Sequence, residues 1–327
     1  MPVQRIKFYQ TGSFAVGNRL LDPGRRSVQA DAGRTNALTK GHRACQGCGE
    51  ALGARYVLDA VMRATGNRAV TVNATGCLEV FSTPFPESSW QVPWLHLLFG
   101  NAPAVATGVA AALRAKGRTD VRVVGQGGDG GTVDIGLACL SGMFERNDDV
   151  LYVCYDNGGY MNTGVQRSGA TPHGAVTTTT PAGNSFGQGK SVPLIAMAHR
   201  IPYVATATVA DLRDLEYKAA RAMEFHGARY LHVLVPCPLG WRTASDETIR
   251  VARLAQETGM FPVFEALDGE VTDVTPIRRV LPVVEYLRPQ GRFAHLFGDP
   301  PREDVIGKLQ LEADRNIRTF GLTEPVR

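Results

Sequence analysis

Apolar positions along this chain follow two alternating rhythms. Leu52, Ala54, Val57, Leu58, Val61 and Met62 recur at helical spacing, which predicts a helix from Gly49 to Thr65. Short apolar runs of strand length follow at Arg68–Asn73, Val121–Gly125, Val150–Tyr155, Tyr203–Thr208 and Tyr230–Val235. Helical patterns separate most of them, at Asn101–Lys116, Val133–Arg146, Val192–His199 and Val209–Phe225. Val-rich strands alternating with helices predict an α/β fold, a parallel sheet covered by helices on both faces.

Three stretches depart from the alternation. Residues 1–40 are rich in Gly, Arg, Asp and Asn without periodicity, and are read as an N-terminal arm. Gly158–Lys190 is a long polar loop with four consecutive threonines at 177–180. Such a loop inside a compact domain points to function or disorder. Residues 41–240 then form the main domain. Residues 241–327, helix and strand fragments interrupted by prolines, are expected as a C-terminal extension packing on that domain or on a partner subunit.

Composition narrows the class. The 327 residues are 44% hydrophobic, enough for a substantial core. With 35 basic and 31 acidic residues the net charge is +4, too small a footprint for nucleic-acid binding. No apolar run approaches the roughly eighteen residues of a membrane span. The N-terminus lacks the apolar segment of a secretory signal, so a cytoplasmic location is expected. Six cysteines in such a chain argue against a disulfide framework.

Two constellations carry candidate chemistry. Gly128-Asp129-Gly130-Gly131 follows a predicted strand, and Asn157 ends the next one, 28 residues after Asp129. Open α/β sheets bind ligands at such strand ends, where glycines admit a phosphate close to backbone N–H groups. Asp129 and Asn157 offer hard oxygen ligands for one Mg²⁺ on a diphosphate, against the plainer reading of two ordinary turns. The second constellation is Cys45 and Cys48 in a CxxC, Cys77 in ATGC and Cys237 in PCPLGW. Four such thiolates suit zinc or a [4Fe–4S] cluster, and spacing alone favours zinc. Cys139 and Cys154 sit in apolar periodic segments and read as ordinary thiols.

The spacing from GDG to Asn157 resembles the diphosphate-binding motif of thiamine diphosphate enzymes. The longer segments CQGCGE, GDGGTVDIG, DNGGYMNTGVQRSGATPHG, TTTTP, PCPLGW and QGRF are similar to the β subunits of 2-oxoacid:ferredoxin oxidoreductases. That resemblance implies a thiamine diphosphate-binding fold and reverses the preference for zinc. Cys45, Cys48, Cys77 and Cys237 become ligands of one [4Fe–4S] cluster. Mg²⁺ falls to Asp129, Asn157 and the Gly159 carbonyl. Glu50 joins the cofactor site, with Cys77, Gly128, Gly130, Gly131 and the run Gly158, Gly159, Tyr160, Met161 and Asn162. Glu50 and Asn162 are the implied catalytic residues, Asn162 through an amide able to donate to a developing oxyanion.

The implied reaction is the oxidative decarboxylation of a 2-oxoacid to acyl-CoA and CO₂, with coenzyme A as co-substrate and electrons leaving singly. No segment of the sequence reads as a pyrimidine-binding domain or as the repeated cysteine runs of a ferredoxin module. The expected partners are therefore a subunit carrying the pyrimidine-binding domain, a γ-type subunit, a ferredoxin-like cluster subunit, and ferredoxin or another electron acceptor. Gly100 and Gly158 stand where an acidic residue is expected in pyruvate-using members. Their missing side chains suggest a roomier pocket, so that pyruvate is the base-rate substrate and a bulky or aryl acid such as phenylglyoxylate a serious alternative, unless both glycines merely serve turn geometry. Two other readings compete: a non-redox thiamine diphosphate decarboxylase or carboligase, which leaves the cysteines unused, and a zinc-stabilised scaffold subunit, which leaves the GDG–Asn pair unused.

Overall fold

Residues 36–39, 41–83, 88–187 and 189–323 are described by the computed structural model. Among them eight strands join in one sheet: β1 (Ala69–Ala74), β2 (Trp94–Leu97), β3 (Arg122–Gly128), β4 (Val150–Asp156), β5 (Tyr203–Thr208), β6 (Arg229–Leu234), β7 (Phe264–Leu267) and β8 (Glu270–Val274). Their order is β2-β1-β3-β4-β6-β5-β7-β8. The first six are mutually parallel, while β7 runs antiparallel to β5 and β8 antiparallel to β7.

Burial of both faces explains the apolar runs. In β4, Leu151, Val153 and Tyr155 enter one core, and Val150, Tyr152 and Cys154 enter the other. The first core is closed by helices α1 (Gly49–Ala64), α2 (Cys77–Ser82) and α6 (Leu212–Arg221). The second is closed by α3 (Ala102–Ala115), α4 (Leu137–Glu145) and α5 (Val192–Ala198). Period-two alternation with both registers apolar is what a doubly covered sheet requires.

The structure differs from the expected all-parallel sheet at the C-terminal side. Residues after 240 supply β7 and β8, besides α7 (Pro238–Trp241), which starts just before, α8 (Thr248–Glu257), α9 (Val283–Leu287) and α10 (Glu303–Phe320). All described residues from Ala37 onward belong to one compact unit. β8 is almost wholly solvent-exposed, so it carries no apolar run to mark it. α2 and β2, both short, were likewise not expected from the periodicity. The expected arm over residues 1–40 lies outside the described residues except for 36–39.

The helix expected from Val133 begins differently. Gly130–Ile135 forms a turn of π-helix that continues into α4. A π turn carries one extra residue per turn and is found mostly at functional sites. Here it projects Asp134 toward the long loop. Asp134 Oδ2 accepts from the Tyr160 hydroxyl at 3.1 Å and the Gly169 N–H at 2.8 Å, and Oδ1 pairs with Lys190 Nζ at 2.9 Å.

The loop itself is ordered by its own polar groups. Thr177 and Thr180 hydroxyls meet at 2.7 Å, Thr178 N–H donates to Val165 O at 2.9 Å, and Asn184 Nδ2 donates to Thr171 O at 2.8 Å. Threonines and Asn thus satisfy backbone groups that no strand or helix partners. Asp134→Ala should free the loop while sparing the sheet, costing about 1–3 kcal/mol. Hydrogen–deuterium exchange should then rise across residues 158–190 and stay unchanged in β3 and β4; uniform protection would contradict the role given to Asp134.

Candidate active site

Four adjacent strands end on the same edge of the sheet. β1 leads into Thr75-Gly76-Cys77, β3 into Asp129, β4 into Asn157, and β6 into Val235-Pro236-Cys237. Parallel strands all present their carboxyl ends to one side, so residues far apart in sequence meet there. α1 adds Cys48 and Glu50 from its N-terminus, because Gly49 N–H donates to Pro236 O at 3.1 Å and ties the helix start to the β6 end.

The first cavity, about 100 Å³, is lined by Glu50, Cys77, Gly128, Asp129, Gly130, Gly131, Asn157, Gly159, Tyr160, Met161 and Asn162. Asp129 is fully buried. Its Oδ1 accepts from the Asn157 N–H at 3.3 Å, and its Oδ2 from the Ser168 hydroxyl. Burial, then the nearby Asp156 carboxylate, push its pKa well above the usual range. Asn157 Nδ2 donates to Glu50 Oε2 at 3.2 Å, leaving Asn157 Oδ1 buried with no donor. An acceptor in that state is expensive unless something positive meets it. Asp129 and Asn157 Oδ1 together are hard oxygen donors of the type Mg²⁺ takes when phosphates supply its remaining ligands.

A second cavity, also about 100 Å³, is lined by Cys45, Cys48, Cys77 and Cys237 together with Arg43, Phe81 and Pro238. Glu50, Cys77, Asn157 and Asn162 line both cavities, so the two share a wall. Cys48 caps α1, its Sγ accepting from Ala51 N–H at 3.4 Å, and Cys237 caps α7, accepting from Gly240 N–H at 3.3 Å. Burial, then Glu50, push the Cys48 thiol up to about 12. The same two causes raise Cys77, and burial raises Cys237. Glu50 itself is pushed up to about 7 by burial, against hydrogen bonds from Asn157 and the Leu78 N–H that favour its charged form. A bound cation reverses such penalties and would hold these thiols as thiolates. Among the described residues, no three Cys, His, Asp or Glu side chains close around a single ion. Cys139 and Cys154 line neither cavity.

Most of the site residues expected from the sequence are therefore brought together, with one exception. Gly158 lines neither of these cavities. It turns at φ +74°, and a Cβ there would stand 3.0 Å from Arg292 Nη1. Gly100 is equally occupied by packing, since a Cβ would come 2.5 Å from Ile135 Cγ2 and 3.1 Å from its carbonyl. Neither glycine borders the space they were expected to enlarge; backbone geometry and close approach account for both. The sequence reading missed Thr75, Gly76, Phe99 and Thr163, which also line the first cavity. Phe99 stacks on Tyr160 with ring centroids 5.6 Å apart, an apolar wall that no local motif marks.

Known proteins of similar sequence and fold identify the family. The family of thiamine pyrophosphate enzymes, C-terminal TPP binding domain, matches residues 74–233, which run from the end of β1 into β6. The pyruvate synthase subunit PorB of Methanosarcina barkeri is 51% identical over 290 residues, 87% of this chain and 97% of that protein. The ketoisovalerate oxidoreductase subunit VorB of Pyrococcus abyssi is 44% identical over 276 residues, 81% of this chain and 86% of that protein. Among solved structures, the 2-oxoglutarate:ferredoxin oxidoreductase of Magnetococcus marinus, with 2-oxoglutarate, coenzyme A and succinyl-CoA bound, aligns with a TM-score of 0.53. It is 26% identical and covers 65% of this chain and 77% of its own. With most of its length shared at that level of identity, the chain belongs to the thiamine diphosphate-dependent 2-oxoacid:ferredoxin oxidoreductases, as a β subunit of that family.

Proposed function

We propose that this chain is the catalytic subunit of a coenzyme-A-dependent pyruvate oxidoreductase, holding thiamine diphosphate, Mg²⁺ and one [4Fe–4S] cluster. The observation that carries this reading is the shared wall. The GDG–Asn157 pair and the four cysteines come from separate strands, yet Glu50, Cys77, Asn157 and Asn162 border both cavities. A decarboxylase that transfers no electrons has no use for that adjacency, and a zinc scaffold has none for the buried acceptor on Asn157. Thiamine diphosphate, when bound, supplies the carbanion sink for decarboxylation, and the cluster supplies one-electron acceptance.

The protein's own groups do the rest. Backbone N–H groups of Gly130 and Gly131, opening the π turn, receive the diphosphate. Asp129, Asn157 Oδ1 and the Gly159 carbonyl hold the Mg²⁺. The thiols of Cys45, Cys48, Cys77 and Cys237 surround a cavity rather than a point, which suits a polynuclear cluster better than one zinc ion. Glu50, with a pKa near neutrality, can hold or release a proton between the two cavities. Asn162 is exposed at the mouth of both and can donate its amide to the substrate carbonyl. The stacked Phe99 and Tyr160 rings give one wall an apolar face.

Pyruvate is the substrate this reading favours. The pyruvate synthase relatives support it, and the two glycines that argued for an aryl acid serve packing instead. The partners on this reading are a subunit carrying the pyrimidine-binding domain, a γ-type subunit, a ferredoxin-like subunit, and ferredoxin as electron acceptor.

Three measurements test the proposal. Asp129→Ala should weaken thiamine diphosphate binding in Mg²⁺ at least about a hundredfold while iron content is kept; full cofactor occupancy in that variant would refute the diphosphate placement. Serine at position 45, 48, 77 or 237 should lower iron and acid-labile sulfide in the purified complex, whereas Cys139→Ser and Cys154→Ser should leave both intact. Iron unaffected by Cys237→Ser would break the ligand set. Steady-state kinetics should give pyruvate a kcat/KM at least roughly tenfold above phenylglyoxylate, and the reverse preference would restore the aryl reading.

A further inference from the structure

Helix α7 is a single turn, but both of its ends reach the site. At its start Cys237 borders the cysteine cavity and accepts from Gly240 N–H. At its end the Trp241 indole, 1% exposed, donates Nε1–H to the Asn157 carbonyl at 2.5 Å. Between them Gly240 lies against the cofactor loop: a Cβ there would come within 2.1 Å of Met161 Sδ. One short element therefore touches the cysteine wall, the carbonyl of a proposed Mg²⁺ ligand, and a residue lining the first cavity.

Trp241 is itself clamped. The buried Arg292 guanidinium lies 3.8 Å from the indole centroid, close enough for a desolvated cation–π contact. That guanidinium is held in turn by Gln290 Oε1 at 2.9 Å and the Tyr286 hydroxyl at 3.3 Å. Tyr286 also meets Trp241 edge-on, with ring centroids 6.3 Å apart and planes at 88°. From the other side, Asp156 Oδ1 accepts from Gly158 N–H at 2.8 Å and fixes the turn that follows Asn157. A bulky residue at 158 would press on Arg292, so the glycine, the arginine and the indole form one packed unit.

We infer that Trp241, oriented by Arg292, is a positioning residue that fixes the Asn157 backbone and couples cofactor occupancy to the environment of Cys237. The inference rests on the assignment of Asn157 and Cys237 made above. Filling the diphosphate–metal site sets the Asn157 backbone, and α7 transmits that setting to the cysteine wall.

Trp241→Phe in the whole complex keeps an aromatic ring but removes the indole N–H. Calorimetric titration with thiamine diphosphate in Mg²⁺ should show roughly five- to tenfold weaker binding, with iron content unchanged. The electron paramagnetic resonance signal of this subunit's reduced cluster, identified by its loss in Cys237→Ser, should shift on adding thiamine diphosphate to the unsubstituted complex. That shift should shrink in Trp241→Phe. A merely structural role would lower iron content without uncoupling the signal from the cofactor. Unchanged affinity together with an unchanged shift, or no shift in the unsubstituted complex, overturns the inference. If Trp241→Phe does not assemble, Arg292→Met carries the same two measurements, with affinity falling roughly threefold. Asp129→Ala, titrated alongside, separates the two levels. Normal binding by that variant sinks the site assignment, whereas lost binding there with both affinity and shift unchanged in Trp241→Phe sinks only the coupling.

Discussion

The structure is organised around negative or potentially negative groups withdrawn from water. Asp129, Glu50, Cys48, Cys77 and Cys237 all lie on one edge of the sheet, and burial raises the pKa of each. Cys48 and Cys77 are raised further by Glu50, and Asp129 by Asp156. Such a concentration opposes folding unless the groups stay protonated or meet a cation. The parallel sheet supplies the compensation. Its two cores hold β1, β3, β4 and β6 apart at fixed spacing, so their ends stay in place while the groups they carry wait for a counter-charge.

Around that edge, polar residues replace the regular hydrogen bonding that ends with the strands. Ser168 reaches Asp129, Asp134 gathers Tyr160, Gly169 and Lys190, and Thr171 donates to Gly158 O at 2.9 Å. Val176 N–H donates to Arg292 O at 3.0 Å, joining the long loop to the C-terminal part. The loop that looked like either function or disorder is thus ordered by its own bonds and by contacts to two other regions, the turn after β3 and the segment at Arg292. The bonds to Asp129, Asp134 and Arg292 are distant in sequence, which is why composition suggested flexibility there.

What was legible in the sequence follows the range of the interactions involved. β4, β5 and β6 were readable because both faces are buried and each strand is one apolar run. The GDG and CxxC segments were readable because their residue types are tied to phosphate and thiolate chemistry wherever they occur. β8 was not, because an exposed edge strand has no apolar signature, although Asp268-Gly269 between β7 and β8, both at positive φ, was an available hairpin signal. Gly100 and Gly158 admitted two readings for a related reason. A missing side chain reads as empty space in a sequence, whereas here Ile135 and Arg292, one of them 134 positions away from its glycine, already fill it. Phe99 and Thr75 owe their places in the site to tertiary contacts, and so does the bond of Trp241 to Asn157.

The shared wall also constrains how the site can be taken apart. Glu50 accepts from Asn157, lies at the start of α1 beside Cys48, and raises both Cys48 and Cys77. Changing it alters the charge felt by the thiols and removes a partner from Asn157 in the same step. Cys77 borders both cavities as well, so a substitution there perturbs the cofactor wall as well as the thiol set. Cys45 and Cys237 border only the cysteine cavity, and Asp129 only the other. A change confined to the thiol wall is read most directly at Cys45, whereas at Glu50 and Cys77 the two cavities respond as one electrostatic unit.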